Sequence, residues 1–153
     1  MQNKKRKILI VNGPNLNMLG LREPDLYGTS TYSELVEDIN EYATSLEVEL
    51  EVVQSNSEDM IIKTIHSALK LFDAIIINPG GLAHTSIALR DALLSISIPF
   101  IEVHISNIYS RESFRHHSFI SDIAVGVISG LGIDGYKSAL DYFSRNETDS
   151  KSR

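Results

Sequence analysis

The sequence predicts an α/β fold: one doubly wound domain on a five-stranded parallel sheet, with helices on both faces. Three observations predict it. Short β-branched apolar runs recur five times along the chain. Segments with apolar residues at three- and four-residue spacing stand between them. No composition break and no internal repeat divides the 153 residues, a length that suits one domain with one full core.

The first run, KILIV at 7–11, follows the basic segment MQNKKRK. The apolar stretch Ile8 to Val11 is too short for a signal-peptide core, which needs roughly 7–15 residues. No stretch approaches the ~20 apolar residues of a membrane span. Residues 1–6 are expected as a flexible N-terminus. The second run, VELEVV at 48–53, sets Glu47, Glu49 and Glu51 against Val48, Leu50 and Val52. It reads as an edge strand with one wet face. The third and fifth, AIIIN at 74–78 and IAVGVI at 123–128, are nearly continuous apolar runs, as strands covered on both faces tend to be. The fourth is PFIEVHI at 99–105.

The helical patterns are equally ordered. Residues 31–45 open with a capping box, Thr31-x-x-Glu34, then place Leu35, Val36, Ile39 and Tyr42 on one face. Residues 57–71 carry Met60, Ile61, Ile65, Ala68 and Leu69; residues 84–96 carry Ile87, Ala88, Leu89, Ala92 and Leu93. Residues 133–144 carry Ile133, Tyr136, Leu140 and Phe143. The polar end, RNETDSKSR, is expected as a flexible tail over 146–153. This leaves 7–145 as a single α/β domain. Such a five-stranded chain commonly takes the flavodoxin-like order 2-1-3-4-5, and ligands then bind beyond the carboxyl ends of the strands, near the switch point.

Composition narrows the function. The net charge of −6 argues against a general nucleic-acid or anionic-membrane surface. The chain has no cysteine, so it has no disulfide, thiol nucleophile or Cys-ligated zinc, and a cytoplasmic location is expected. The lysines lie at 4, 5, 7, 63, 70, 137 and 151, none at the carboxyl end of a strand. Schiff-base chemistry is therefore disfavoured. There is no G-x-G-x-x-G and no phosphate-binding loop with its lysine.

Polar residues of several types collect at the carboxyl ends instead. After the first strand comes NGPNLNMLGLREPDLYG, 12–28; after the third, NPGGLAHTS, 78–86; after the fourth, EVHISN, 102–107, then YSRESFRHH, 109–117. Gly80 and Gly81 serve either a tight turn or a close backbone approach to a ligand. His84 is either a capping-region histidine or a ligand group. Glu102 and His104, two apart on a strand, face the same side. A carboxylate there fixes an imidazole tautomer and suits a general acid, although a structural pair has the same local sequence. His116 and His117 are adjacent, and no His/carboxylate spacing matches a zinc pattern, so no metal is expected. Arg111 and Arg115 share a face if that stretch is a helical turn; they bind an anion together or are solvated. Tyr27, with Arg22 five residues before it, is either a packed loop tyrosine or a base whose phenolate is favoured by guanidinium charge. A long loop that closes brings both to a substrate and excludes water.

Taken together, NGPNLNMLGLREPDLYG, NPGGLAHTSIALRDA, IEVHISN, RESFRHHS and GVISGLGIDGY resemble the type II 3-dehydroquinate dehydratases (3-dehydroquinases) of the shikimate pathway. The resemblance runs from Lys7 to Tyr142, with Met18 and Pro79 departing from the residues most expected there. It implies dehydration of 3-dehydroquinate to 3-dehydroshikimate, by anti elimination through an enolate, with no cofactor. It implies Tyr27 as the base at C2, and Arg22 as the lid residue that lowers its pKa, with Arg111 supporting. His104 would be the acid at the C1 hydroxyl, oriented by Glu102, and Asn15 the holder of a water at the enolate oxygen. Asn78, Ile105 and Ser106 would hold the carboxylate, and His84 and Arg115 the ring hydroxyls. Asp91 would reach a neighbouring subunit's site, within a homo-oligomer of trimers packed into a dodecamer. Residues 12–15 are expected as a fixed turn and 19–28 as a lid.

Two other readings remain open on the residues alone. A non-catalytic flavodoxin-like module for FMN or a small acid would leave the Tyr27–Arg22 pair unexplained. A response-regulator-like domain needs an acidic cluster after the first strand and an aspartate after the third, where this chain has Asn-Gly-Pro-Asn and Asn78.

Overall fold

The structure is a computed structural model that describes residues 5–21, 23–27 and 29–146, with only the backbone described for Leu26 and Tyr27. The apolar runs form one sheet: β1 (Lys7–Asn12), β2 (Glu49–Gln54), β3 (Ala74–Asn78), β4 (Phe100–His104) and β5 (Gly126–Ser129). All pairings are parallel and the order is β2-β1-β3-β4-β5, as expected. The α-helices among the described residues are α1 (Pro24–Tyr27), α2 (Tyr32–Ser45), α3 (Glu58–Ser67), α4 (Ile87–Ile96) and α5 (Asp134–Arg145).

Side-chain caps start three of these helices. Thr31 accepts from the Glu34 N–H at 3.2 Å, Ser57 from Met60 at 3.2 Å and Ser86 from Leu89 at 2.9 Å. Each satisfies an N–H that has no partner within its helix.

Strand alternation then builds two cores. Ile8, Ile10 and Ile76 face α2 and α5, against Leu35, Ile39, Tyr136, Leu140 and Phe143. Leu9, Val11, Ile75 and Ile77 face α3 and α4, against Ile61, Ile65, Leu89 and Leu93. Because β1 and β3 are covered on both faces, nearly every position must be apolar. The exceptions are the exposed first residue of β1, Lys7, and the buried last residues of the two strands, Asn12 and Asn78, which are adjacent in register.

The structure corrects several sequence expectations. The fifth strand is not covered on both faces. It begins at Gly126, lies at the sheet edge, and leaves Val127 41% exposed. Residues Ser121–Ile123 form a 3₁₀ turn, and Ile123 and Ala124 join the α3–α4 core from irregular backbone. The apolar run therefore reads as longer than the strand. Glu47 is not part of the alternating edge strand but a turn residue at φ 59°; Glu49 and Glu51 do face outward on β2. Helix α3 stops at Ser67, short of 71, and Lys70 turns the chain with φ 67°. Met60, Leu69, Ile87 and Ala88, expected on apolar helix faces, are exposed. At the ends of the expected 7–145 domain, Arg6 Nη1 donates to Phe143 O at 2.8 Å and also bonds Asn146 O.

Candidate active site

A sheet ordered 2-1-3-4-5 winds outward in both directions from the boundary between β1 and β3. The loops leaving those strands diverge there and open a cleft. A cavity of about 150 Å³ occupies that place. The loop after β1 contributes Asn15, Leu16 and Leu19; the segment after β3 contributes Asn78, Gly80, Gly81 and His84. The end of β4 and its loop contribute His104, Ile105, Ser106, Arg111 and Arg115.

The floor depends on backbone contact between the first two loops. The Gly13 N–H donates to Asn78 O at 2.8 Å, and a Cβ on Gly13 would stand 2.4 Å from Pro79 O. Gly80 has φ 59°, and a Cβ there would stand 2.9 Å from Pro14 O. No other residue fits both demands. Gly81 has no atom within 4 Å of a notional Cβ and borders the cavity. The turn at Asn15 is left-handed, φ 73°, a conformation asparagine tolerates. Its N–H donates to Asn56 Oδ1 at 2.9 Å, and Gln54 Nε2 reaches both Asn56 Oδ1 and Gly13 O. The segment 12–15 is therefore tied down by β2 and β3 together.

Glu102 and His104 share a face of β4. His104 Nε2 lies 2.5 Å from Glu102 Oε2, and Ser121 Oγ donates to Glu102 Oε1 at 2.5 Å. The Glu102 side chain is wholly buried. Burial pushes its carboxyl up, but the hydrogen bond and charge of His104, with donors from Ser121 and Ser118, outweigh that and hold it below the usual range. A buried carboxylate held ionised in this way donates nothing. The imidazole nitrogen facing it must carry a proton, and Nδ1 is left for the cavity. The His84 ring stacks on His104 with centroids 6.1 Å apart and planes at 18°. Burial lowers the His84 pKa, and the neighbouring His104 and Arg115 lower it further; its bond to the His117 carbonyl opposes this. His84 Nδ1 lies 2.8 Å from His117 O, so that nitrogen is the donor and Nε2 the acceptor in the neutral ring.

Two guanidinium groups close the other wall. The Arg111 side chain is nearly buried; Nη1 lies 3.5 Å from Ser106 Oγ and Nη2 3.6 Å from Glu23 Oε2. Arg115 Nε donates to Glu112 Oε1 at 3.1 Å. The stretch is not one helical turn, as their four-residue spacing allowed. Arg111 is extended, between 3₁₀ turns at Ile108–Ser110 and Ser113–Arg115, yet both residues line the cavity.

Of the residues singled out in the sequence, Asn15, Asn78, His84, His104, Ile105, Ser106, Arg111 and Arg115 border this one cavity, with Glu102 behind His104. Asp91 does not; it is exposed on α4. Arg22 and the Tyr27 side chain lie outside the described residues; the Tyr27 backbone ends α1. Ser121 and Asn56 are site residues that the sequence pattern does not mark; Asn12 is marked there only as the start of a fixed turn, and Tyr136 only as a core residue. An amide at the end of an apolar strand, as at Asn12, was the available signal. Among the described residues, no lysine lines the cavity, and no cluster of three or more His, Asp or Glu side chains is arranged for a metal ion. No helix among them is long and apolar enough to cross a membrane.

Comparison with known proteins adds to this geometry. Residues 6–144 match the family model described as dehydroquinase class II. The 3-dehydroquinate dehydratase of Enterobacter sp. (strain 638) is 60% identical over 136 residues, covering 89% of this chain and 91% of that protein. Catabolic 3-dehydroquinase 1 of Fusarium vanettenii is 57% identical over 139 residues, 91% of this chain and 96% of that one. The crystal structure of type II dehydroquinase from Propionibacterium acnes superposes with a TM-score of 0.90 at 43% identity, covering 95% of this chain and all of that one. With the family model spanning nearly the whole domain and the fold shared, the chain belongs to the class II dehydroquinase family.

Proposed function

We propose that the chain is a carbon–oxygen hydro-lyase that dehydrates 3-dehydroquinate to 3-dehydroshikimate, a step of the shikimate pathway toward chorismate and the aromatic amino acids. The observation that carries this reading is the buried Glu102 holding His104 at the edge of a cavity that Arg111 and Arg115 also line. It supplies an oriented proton donor and an anion-binding wall in one place.

In the proposed sequence Tyr27, as phenolate, takes the C2 proton. The C–H electron pair moves to the C3 carbonyl and forms an enolate. Asn15 holds a water at that oxygen. Collapse of the enolate forms the C1–C2 double bond and breaks the C1–O bond, and His104 protonates the departing hydroxide to water. Arg22, arriving with the 19–28 lid, favours the phenolate, with Arg111 supporting. The substrate carboxylate rests on Asn78 and the backbone N–H groups of Ile105 and Ser106, and the ring hydroxyls on His84 and Arg115. No cofactor takes part. A non-catalytic binding module has no use for a charged carboxylate buried behind a histidine, so the enzyme reading is favoured.

Residues 7–145 form the catalytic domain in this reading, and the enzyme is cytoplasmic. It assembles as trimers packed into a dodecamer, with Asp91 reaching a neighbouring subunit's site. Support comes from the exposed position of Asp91, away from its own cavity. The decisive experiment mixes purified protein with 3-dehydroquinate and follows the enone absorbance of the product. Turnover is expected to survive EDTA, and to survive borohydride added with substrate. A folded protein without turnover sinks the assignment; borohydride inactivation sinks the enolate route. Sedimentation is expected near twelve chains, and a stable, active monomer contradicts the role of Asp91.

A further inference from the structure

Below the cavity floor a polar chain crosses an otherwise apolar core. The Gly80 N–H donates to Asn78 Oδ1 at 3.2 Å, and Asn78 Nδ2 donates to Tyr136 Oη at 2.9 Å. Tyr136 Oη donates to Asn12 Oδ1 at 2.6 Å, and Asn12 Nδ2 to Tyr32 Oη at 3.4 Å. Tyr136 and Asn12 are fully buried and Asn78 nearly so.

The direction of every link follows from the first. A backbone N–H only donates, so the Asn78 atom facing Gly80 is its oxygen. Its NH₂ therefore faces Tyr136. That group only donates, so the Tyr136 oxygen accepts and the phenol proton is sent on to an acceptor, Asn12 Oδ1. The Asn12 NH₂ then faces Tyr32. Burial of Tyr136 raises its pKa, which keeps it a phenol able to pass the chain on. One N–H of Asn78 is used by Tyr136. The second has no partner among the described residues, and Asn78 borders the cavity.

We propose that Tyr136 is a positioning residue: through its two hydrogen bonds it locks the Asn78 amide so that N–H, not C=O, is presented to the cavity, which selects an anionic acceptor at that spot. The function of the lock rests on the proposed dehydration, where Asn78 meets the substrate carboxylate. Phenylalanine at 136 would leave the ring packed on Leu35 and Ile39's layer but remove the acceptor for Asn78 and the donor for Asn12.

The test compares wild type, Tyr136→Phe, Asn78→Ala and the double variant in steady-state kinetics with 3-dehydroquinate, with a thermal melt of each. The carboxylate sits on C1, whose C–O bond breaks, but it keeps its charge throughout the step, so a weaker hold on it weakens ground and transition state alike. Tyr136→Phe is expected to raise KM about tenfold with kcat within about twofold. In the Asn78→Ala background it is expected to add nothing to KM, since the two act as one unit. A role confined to core stability lowers the melting temperature and leaves KM unmoved. Unchanged KM in the folded Tyr136→Phe enzyme overturns the proposal, as does an equal rise in the Asn78→Ala background. If Tyr136→Phe does not fold, Asn12→Ala leaves Tyr136 in place without its acceptor. It is expected to raise KM by about threefold, and only when Asn78 is present; an unmoved KM overturns the lock. Absence of turnover in wild type sinks the reaction itself; turnover with these KM values unmoved sinks only the lock.

Discussion

Replacing Glu102 by Gln probes the acid side of the proposed chemistry with little change in volume. Glu102 is wholly buried, accepts from Ser121 on Oε1 and faces His104 Nε2 at 2.5 Å on Oε2. In Glu102→Gln one orientation of the amide keeps Ser121 as donor and turns its NH₂ toward His104, so two donors meet. The imidazolium, which carries a proton on both nitrogens, is then excluded. In the other orientation the Ser121 hydroxyl rotates to accept, and His104 keeps a neutral hydrogen bond in place of an ionic one. Either way the protonated ring loses its counter-charge. A hydrogen bond to a charged group is worth about 1.5–3 kcal/mol. Two unit charges about 4 Å apart at an effective dielectric near 20 give about 4 kcal/mol as an upper bound. A loss of about 1.5–4 kcal/mol of acid catalysis lowers kcat by about 10- to 1,000-fold. Product absorbance, followed below the thermal transition of the variant, measures it, with KM as a control on binding. A folded Glu102→Gln enzyme with kcat within about threefold of wild type would refute the role of the pair in proton delivery.

Other outcomes follow from the same framework. Tyr27→Phe and Arg22→Ala are each expected to cut kcat by orders of magnitude while the circular dichroism spectrum is unchanged; near-normal kcat in Tyr27→Phe removes Tyr27 as the base. Gly13→Ala drives a Cβ to 2.4 Å from the Pro79 carbonyl. It is expected to cost about 1–3 kcal/mol, lowering Tm by about 3–10 °C; an unchanged melt would show that the floor yields freely. Because the Glu102 carboxyl is held below its ordinary value, the unfolded chain takes up its proton first on acidification. Its stabilisation is present above about pH 4.3, the ordinary value, and is lost as pH falls through the lower folded value. Urea titrations are expected to show wild type losing more stability than Glu102→Gln between about pH 5 and 3. Parallel losses would remove Glu102 as a contributor.

The legible part of the fold was the part governed by local pattern. Residues 8–11 and 74–77 are apolar throughout because both faces of β1 and β3 meet helices. Thr31 and Ser57 announce helix starts because their hydroxyls cap nearby N–H groups, whereas the helix expected from 84 begins at Ile87, capped by Ser86 after a 3₁₀ turn at Gly80–His84. The errors came where the apolar pattern outlasts the element. Ile123 and Ala124 are apolar because they pack on the α3–α4 core and Val125 because it packs on the α2–α5 core, all three outside any strand, and Leu69 and Ile87 are apolar on a surface. In the site, Glu102 and His104 were legible as a pair because the two-residue period of a strand dictates a shared face. Arg111 and Arg115 share the cavity for a different reason from the one their spacing offered.

Period and propensity alone are enough for the class of fold, for an edge strand within a residue of β2 (Glu49–Gln54), and for a rim of polar residues after strands one, three and four. The rim then points to a site by the rule that ligands meet the carboxyl ends of parallel strands. Which rim residues face one another depends on packing across the whole chain. Ser121 reaches Glu102, Asn56 reaches the Asn15 turn, and Tyr136 crosses from α5 to the ends of β1 and β3. These partners are 19, 41 and up to 124 residues apart in the chain. No periodicity extends across such separations. A buried polar group finds its partner only when packing brings both to one place and excludes water.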